Sequence, residues 1–266
     1  MRTLVKIEVS DRWPKREVIA KKFGSSRRHY KDSDSFHRQL AETLLEVAPD
    51  GVGFGRMLEI GSHTGTTTSM LKDNWPEVDL ISLDLQKEGP EFGVHVQGDG
   101  EALPFGEGVF SSVFSGSTFQ WFEELGASIG GVMKCLQPGG RLGFTQFLRP
   151  SLEPFASRVE EVAGSGRFLP LMEGDELESI VRRWGRVIHF SVVEEVKYFE
   201  DFKTLHLYLR NMGVGAPSVG QRALTRTQLR ELKMLLCRNT EKKGIPLHFC
   251  GALVWLEKSD LVNVKV

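Results

Sequence analysis

The spacing of apolar positions changes several times along the chain, and each change marks an element. Between residues 15 and 48, Val18, Ile19 and Phe23, then Phe36, Leu40, Leu44, Leu45 and Val47 recur near every third or fourth place. That spacing puts them on one helical face. The polar stretch Gly24-Ser-Ser-Arg-Arg divides this region into two helices, and Pro49-Asp-Gly-Val-Gly-Phe-Gly55 forms a turn-rich joint. Short apolar runs then alternate with helical spacing. Strands are expected at 57–61, 78–84, 93–97, 109–116 and 141–147, with helices at 65–74 and 122–136. Leu136-Gln-Pro-Gly-Gly-Arg141 reads as a helix stop followed by a strand start.

Beyond Arg149 the rhythm shifts. Helical spacing is expected over 151–183 with a break near Gly164-Ser-Gly166, then a strand from Arg186 to Val196. Helices at 200–212 and 225–242 flank Gly213-Val-Gly-Ala-Pro217, and a strand at 246–257 closes the pattern. Alternating strands and helices imply a mostly parallel sheet with right-handed crossovers and helices on both faces. The seven strands therefore predict a doubly wound α/β sheet of Rossmann-like form, with an N-terminal helical lid and an inserted helical cap. One domain spans 1–266: a lid at 1–49, a ligand-binding core at 50–149, a cap containing one core strand at 150–245, and the last strand and tail at 246–266. No internal repeat or low-complexity segment interrupts it.

Composition narrows the function classes. Lys+Arg number 34 against 35 Asp+Glu, a net charge of −1, so no global basic field argues for nucleic acid. The segment Met-Arg-Thr-Leu-Val-Lys-Ile-Glu has no apolar signal core, and nowhere do eighteen apolar residues run together. A soluble, cytoplasmic protein that binds no membrane is expected. Cys135, Cys237 and Cys250 are odd in number and lack metal-ligand spacing, so reduced thiols and no metal are expected.

The chemistry concentrates at Met57-Leu-Glu-Ile-Gly-Ser-His-Thr-Gly65 and Leu80-Ile-Ser-Leu-Asp84. A strand breaking into a glycine turn and then a helix leaves a pocket at its carboxyl end, faced by helix amides. An acid closing the next strand can accept both hydroxyls of a ribose. Together these features point to an adenosine-bearing cofactor. A dehydrogenase fingerprint would need Gly-x-Gly-x-x-Gly, whereas glycines fall only at 61 and 65.

With Gly98-Asp-Gly-Glu-Ala-Leu-Pro-Phe105 and Gln137-Pro-Gly-Gly140 added, the chain resembles the class I S-adenosylmethionine-dependent methyltransferases. Thr118-Phe-Gln-Trp121, Phe23-Gly24…Tyr30, Phe168-Leu-Pro170 and Leu224-Thr-Arg226 make it similar, more narrowly, to the malonyl-[acyl-carrier protein] O-methyltransferases of biotin synthesis. The resemblance implies S-adenosyl-L-methionine as cofactor. It gives Glu59 the role of orienting the glycine turn, brings Gly61, Ser62 and Gly65 to the methionine moiety, and assigns Asp84 to the ribose. Asp99 would meet the adenine amino group, with Leu85, Gly100 and Glu101 flanking the ring. Ser115 would face the methionine end, and Gln120, Trp121 and Tyr30 would stand near the transferred methyl. Phe36 and His37 fall in a segment that closes over the cofactor in look-alikes. Two departures stand out: His63 replaces the middle glycine, and Phe114-Ser-Gly-Ser117 lacks the usual Asn or Asp.

A carboxylate acceptor is already ionised, so methyl transfer to it needs alignment and desolvation rather than a general base. No Ser-His-Asp set or paired carboxylates are evident in the sequence. An arginine fork could hold the far end of a dicarboxylate; Arg149 is the first candidate, with Arg210, Arg182 and Arg183 behind it. Arg222, Arg226 and Arg230 or Arg182–Arg186 could face an acidic acyl carrier protein. Other readings stay open: a small free carboxylic acid or a quinone as acceptor, or a non-catalytic, cofactor-binding assembly or regulatory protein.

Overall fold

The computed structural model describes residues 16–17, 36–165, 167–211, 223–238 and 243–259. Seven strands form one sheet: β1 (Arg56–Ile60), β2 (Asp79–Asp84), β3 (Val94–Gln97), β4 (Phe110–Gly116), β5 (Leu136–Phe147), β6 (Arg186–Phe199) and β7 (Ile245–Glu257). Their order across the sheet is β3-β2-β1-β4-β5-β7-β6. The first five pair in parallel, while β7 runs antiparallel between β5 and β6. This is the doubly wound, Rossmann-like arrangement expected from the alternation. The order reverses at β1, whose neighbours are β2 and β4, so a crevice opens at the carboxyl ends of those strands.

Helices α1 (Phe36–Glu46), α2 (Thr66–Asn74), α3 (Leu125–Cys135), α4 (Phe155–Ala163), α5 (Gly174–Val181), α6 (Phe202–Asn211) and α7 (Arg226–Cys237) cover both faces. Alternation along β1 shows why. Met57 and Glu59 point to the side of α1, α2, α4, α6 and α7, whereas Leu58 and Ile60 point to α3 and α5. On the first side, Phe36, Leu40 and Leu44 are fully buried on β5 and β7. Part of the segment expected as a lid is thus a layer of the core; residues 1–15 and 18–35 of it lie outside the described residues.

Trp255 on β7 anchors that layer. It is fully buried, its ring occupies the space left by Gly143 on β5, and its indole N–H donates to the Leu44 carbonyl at 3.0 Å. The bond satisfies the one polar atom of a large apolar group. At α7, Thr225 is the N-cap: its hydroxyl accepts from Gln228 N at 3.2 Å, and Gln228 Oε1 accepts from Thr225 N at 3.0 Å. The reciprocal pair fixes where the helix starts. Gln228 also donates to the Val162 carbonyl at 3.0 Å, tying α7 to α4.

Several boundaries differ from the sequence expectation. The helix expected from 122 starts at Leu125, because Phe119–Trp121 close a single 3-10 turn and Phe122 is extended. The helical stretch expected over 151–183 is two short helices, with 167–173 outside helix between them. Pro170 has no N–H to continue a helix and biases Leu169 toward extended backbone. β5 begins at Leu136, directly after α3, and β6 continues to Phe199.

Trp255→Ala is expected to cost about 3–5 kcal/mol, the range for emptying a buried aromatic site. The cost would appear as an earlier urea unfolding midpoint.

Candidate active site

The crevice over β3, β2, β1 and β4 holds about 750 Å³ including its open mouth. Its walls include Gly61, His63, Asp84, Leu85, Asp99, Gly100, Glu101, Trp121 and Arg16.

Each acid is placed by backbone it holds in turn. Asp84, at the end of β2, accepts from His63 N on one oxygen and from Gln86 N on the other, both at 2.9 Å. One carboxylate therefore pins the turn after β1 to the loop after β2. Asp99 accepts from Glu101 N at 3.0 Å. Glu101 accepts from Glu124 N at 3.1 Å, which carries the loop after β3 toward α3. Arg16 bridges the two acids, its Nε donating to Asp99 and its Nη2 to Glu101 at 2.6 Å. No local motif in the sequence marks Arg16 for this position.

Gly61 leaves β1 at φ 81°, and its N–H donates to the Leu83 carbonyl at 2.7 Å. A Cβ there would run into the Thr118 side chain, so the position demands glycine both conformationally and sterically. His63 adopts φ 41° and Ser117 φ 52°, left-handed backbone in non-glycine residues. Such conformations cost roughly 1–2 kcal/mol each and cluster at ligand clamps. Both residues line the crevice.

Glu59 lies beneath the turn, fully buried, with Oε2 accepting from the Thr68 hydroxyl at 2.5 Å. Its other oxygen meets no hydrogen-bond donor among the described residues. Burial pushes its carboxyl up to about 7 against the Thr68 bond, and the neighbouring Asp84 charge adds to the rise. His37 packs its ring on Phe147 at 4.6 Å between centroids. Burial and the nearby His63 push it down to about 4, so the ring is neutral near pH 7.

The other sequence candidates divide between the crevice wall and its surroundings. Ser115 is buried one residue short of it, its hydroxyl donating to the Ile60 carbonyl at 3.0 Å; Gly116 and Ser117 line the wall instead. Gln120 is buried and accepts from Phe147 N at 3.4 Å, while Trp121 faces the crevice. Ser62 is buried in the turn and Gly65, at φ 81°, precedes α2. Arg149 is exposed, paired with Glu173 at 3.4 Å and donating to the Leu171 carbonyl at 3.2 Å. Arg210 is exposed on the last turn of α6. Tyr30 lies outside the described residues. Arg182 pairs with Glu178 at 2.5 Å within its own helix end, and Arg222 lies outside the described residues. Among the described residues, no cluster of His, Cys, Asp and Glu is arranged to hold a metal, and no helix is long and apolar enough to cross a membrane.

The donor set fits an adenosine-bearing group. Each oxygen of Asp84 holds one N–H and keeps a lone pair for a hydroxyl donor. Ser62 Oγ is buried with no partner among the described residues, an open polar site inside the turn. A Cβ on Gly100 would come within 2.6 Å of Phe122 and 2.9 Å of Ile60, so this loop is packed closely against the apolar floor.

Comparison with known proteins agrees with this geometry. Residues 51–144, the stretch from the joint before β1 through most of β5, match the family model described as a methyltransferase domain. The malonyl-[acyl-carrier protein] O-methyltransferase of Methylococcus capsulatus is 26% identical over 237 residues, 85% of this chain and 78% of that protein. YcgJ of Bacillus subtilis superposes with TM-score 0.54 at 14% identity, over 84% of this chain and 99% of its own. Phosphoethanolamine N-methyltransferase 2 of Haemonchus contortus, solved with S-adenosylhomocysteine, gives TM-score 0.51 at 16% identity, over 84% of this chain and 52% of its own. These two structures speak for the fold.

Fold, crevice and family match together define a methyltransferase domain of the Rossmann-like class. The chain is an S-adenosylmethionine-dependent methyltransferase, similar over most of its length to enzymes that act on malonyl-carrier protein.

Two outcomes follow from the acids. Asp84→Ala removes the acceptor of two backbone N–H groups, each charge-assisted bond being worth about 1.5–3 kcal/mol. Affinity for S-adenosylhomocysteine, read by calorimetry, is expected to fall tenfold or more, with the melting temperature lowered as well. For Glu59, the buried acid keeps its proton up to about pH 7 while the unfolded chain loses it near 4.5. The unfolded state then binds fewer protons, so this contribution is full below about pH 4.5 and is lost as pH rises through about 7. Glu59→Gln removes that slope, so its stability relative to the parent should rise by roughly 3 kcal/mol across the window. His37, titrating in the opposite sense, is common to both proteins and cancels.

Proposed function

We propose that the chain methylates the free carboxylate of a malonyl group carried as a thioester on an acyl carrier protein, a step of biotin precursor synthesis. The observation that carries this reading is the extent of the likeness. The relatives named for that reaction align across 82–90% of the chain in the first four cases, well beyond the 51–144 domain.

The chemistry of the crevice supports it. A carboxylate is a nucleophile without losing a proton, so the acceptor end needs walls and alignment more than a strong base. Gly116, Ser117, Thr118 and Trp121 supply small polar groups and one broad apolar face there. Trp121 would exclude water from the oxygen nucleophile, which raises its reactivity. Gln120, through its bond from Phe147 N, would hold the 3-10 turn that aims Trp121. We assign Asp84 to the ribose hydroxyls and Asp99 to the adenine amino group, with Leu85 and Gly100 against the ring. When bound, the cofactor supplies an electrophilic methyl on a sulfonium. Tyr30 is retained as a proposed neighbour of that methyl, and Arg149 and Arg210 as proposed substrate contacts.

Purified protein supplied with S-adenosylmethionine and malonyl-carrier protein should form the methyl ester, detectable by mass spectrometry, with a higher kcat/KM than on free malonate. Trp121→Ala should lower kcat by roughly tenfold, equivalent to about 1.4 kcal/mol of alignment. Faster turnover of a free dicarboxylate or a quinone would replace the acceptor. Cofactor binding without turnover on any of them would favour a non-catalytic role.

A further inference from the structure

The crevice walls are unevenly charged. Asp84, Asp99 and Glu101 line it, and among the described lining residues only Arg16 and His63 can present positive charge. Arg16 is committed to Asp99 and Glu101 beyond β3. His63 stands at the other end, in the turn after β1, beside the Gly116-Ser-Thr118 wall that follows β4.

Strand order turns this into a linear arrangement. From β3 through β2 and β1 to β4, the crevice passes Asp99 and Glu101, then Asp84, then His63, then Ser117 and Thr118. A base at Asp99 and a ribose at Asp84 direct the remaining arm of the ligand over β1 and β4. In S-adenosylmethionine and its product that arm ends in an amino acid, whose carboxylate needs a donor in an otherwise acidic crevice.

His63 is also in a conformation that costs energy. A glycine would sit at φ 41° without strain, whereas a β-carbon must be forced there. Its backbone N–H already does the structural work of the turn by donating to Asp84, a task any residue could perform. The imidazole is what glycine would lack.

We propose that the His63 side chain is the specificity contact for the cofactor's amino-acid carboxylate, an imidazole N–H donating to that carboxylate at the β1–β4 end of the crevice. The inference rests on S-adenosylmethionine as the bound group and is independent of the acceptor. His37, buried and packed on Phe147, lies near enough to His63 for the two to interact electrostatically.

The experiment compares two ligands of the full chain by titration calorimetry. S-adenosylhomocysteine carries the carboxylate, whereas 5′-methylthioadenosine keeps the nucleoside and sulfur without it. His63→Gly should weaken S-adenosylhomocysteine about tenfold, the size of one charge-assisted bond, and leave 5′-methylthioadenosine within about twofold. His63→Asn, which tolerates left-handed backbone and keeps an N–H donor, should recover part of the loss. Unchanged or tighter S-adenosylhomocysteine binding by His63→Gly would overturn the assignment. Parallel weakening of both ligands would reduce His63 to a shape-keeping role and also overturn it. If the parent protein binds neither ligand, the cofactor reading itself fails, which sets that outcome apart from the other two.

Discussion

The carboxylate of Asp84 is the joint on which the crevice is built. Its oxygens receive N–H groups from residues 63 and 86, two loops that leave neighbouring strands and would otherwise diverge. Holding them together turns a flat strand end into a concave wall with an anionic floor. The same constraint sets the tight path of Gly61, whose N–H reaches back to β2, and the close approach of Thr118 from β4. Three strands of the sheet thus converge at one corner.

Around this corner the two apolar layers do different jobs. Helices α3 and α5 cover Leu58, Ile60, Phe144 and Val254 with an unbroken hydrocarbon surface that supports the β3 and β4 loops from below. The opposite layer carries Trp255, Phe36 and Leu40, and it also contains the buried polar pair Glu59 and Thr68. Burial holds Glu59 partly protonated near pH 7, so it adds less charge beneath the crevice than a fully ionised carboxylate would. That division explains why the glycine turn can be tightly packed beneath and polar above.

Legibility in the sequence followed the range of the interactions. β1 carries Met57, Leu58 and Ile60 and β2 carries Leu80, Ile81 and Leu83, with Gly61 and Asp84 at their carboxyl ends, so these two are legible from local pattern, whereas Asp99 follows from the family resemblance. Ser115 and Ser117 show the limit. Ser115 lies within β4, where its hydroxyl donates to the Ile60 carbonyl, whereas Ser117 lies past the strand end at φ 52°, and that change of backbone direction brings it to the crevice. Arg149 and Arg16 show a second limit. Each guanidinium is paired with an acid distant in sequence, Glu173 and Asp99 respectively, and nothing local indicates which partner wins. The short helices of the cap were read as longer ones because Phe168, Leu169, Leu171 and Met172 are apolar; their contacts come from packing, and Pro170 prevents a helix between them. The left-handed backbone at His63 has no local sequence signal, because such a conformation ordinarily calls for glycine.

The antiparallel β7 between β5 and β6 has a consequence for how the protein comes into being. A strand drawn from residues 245–257 supplies one whole edge of partners to β5 and another to β6. During synthesis the five parallel strands can associate, but β5 then ends in an open ladder of amide and carbonyl groups, and β6 has nowhere to dock. The β5–β7–β6 half of the sheet therefore forms only once residues 245–257 have been made, and until then β5 carries an exposed strand edge.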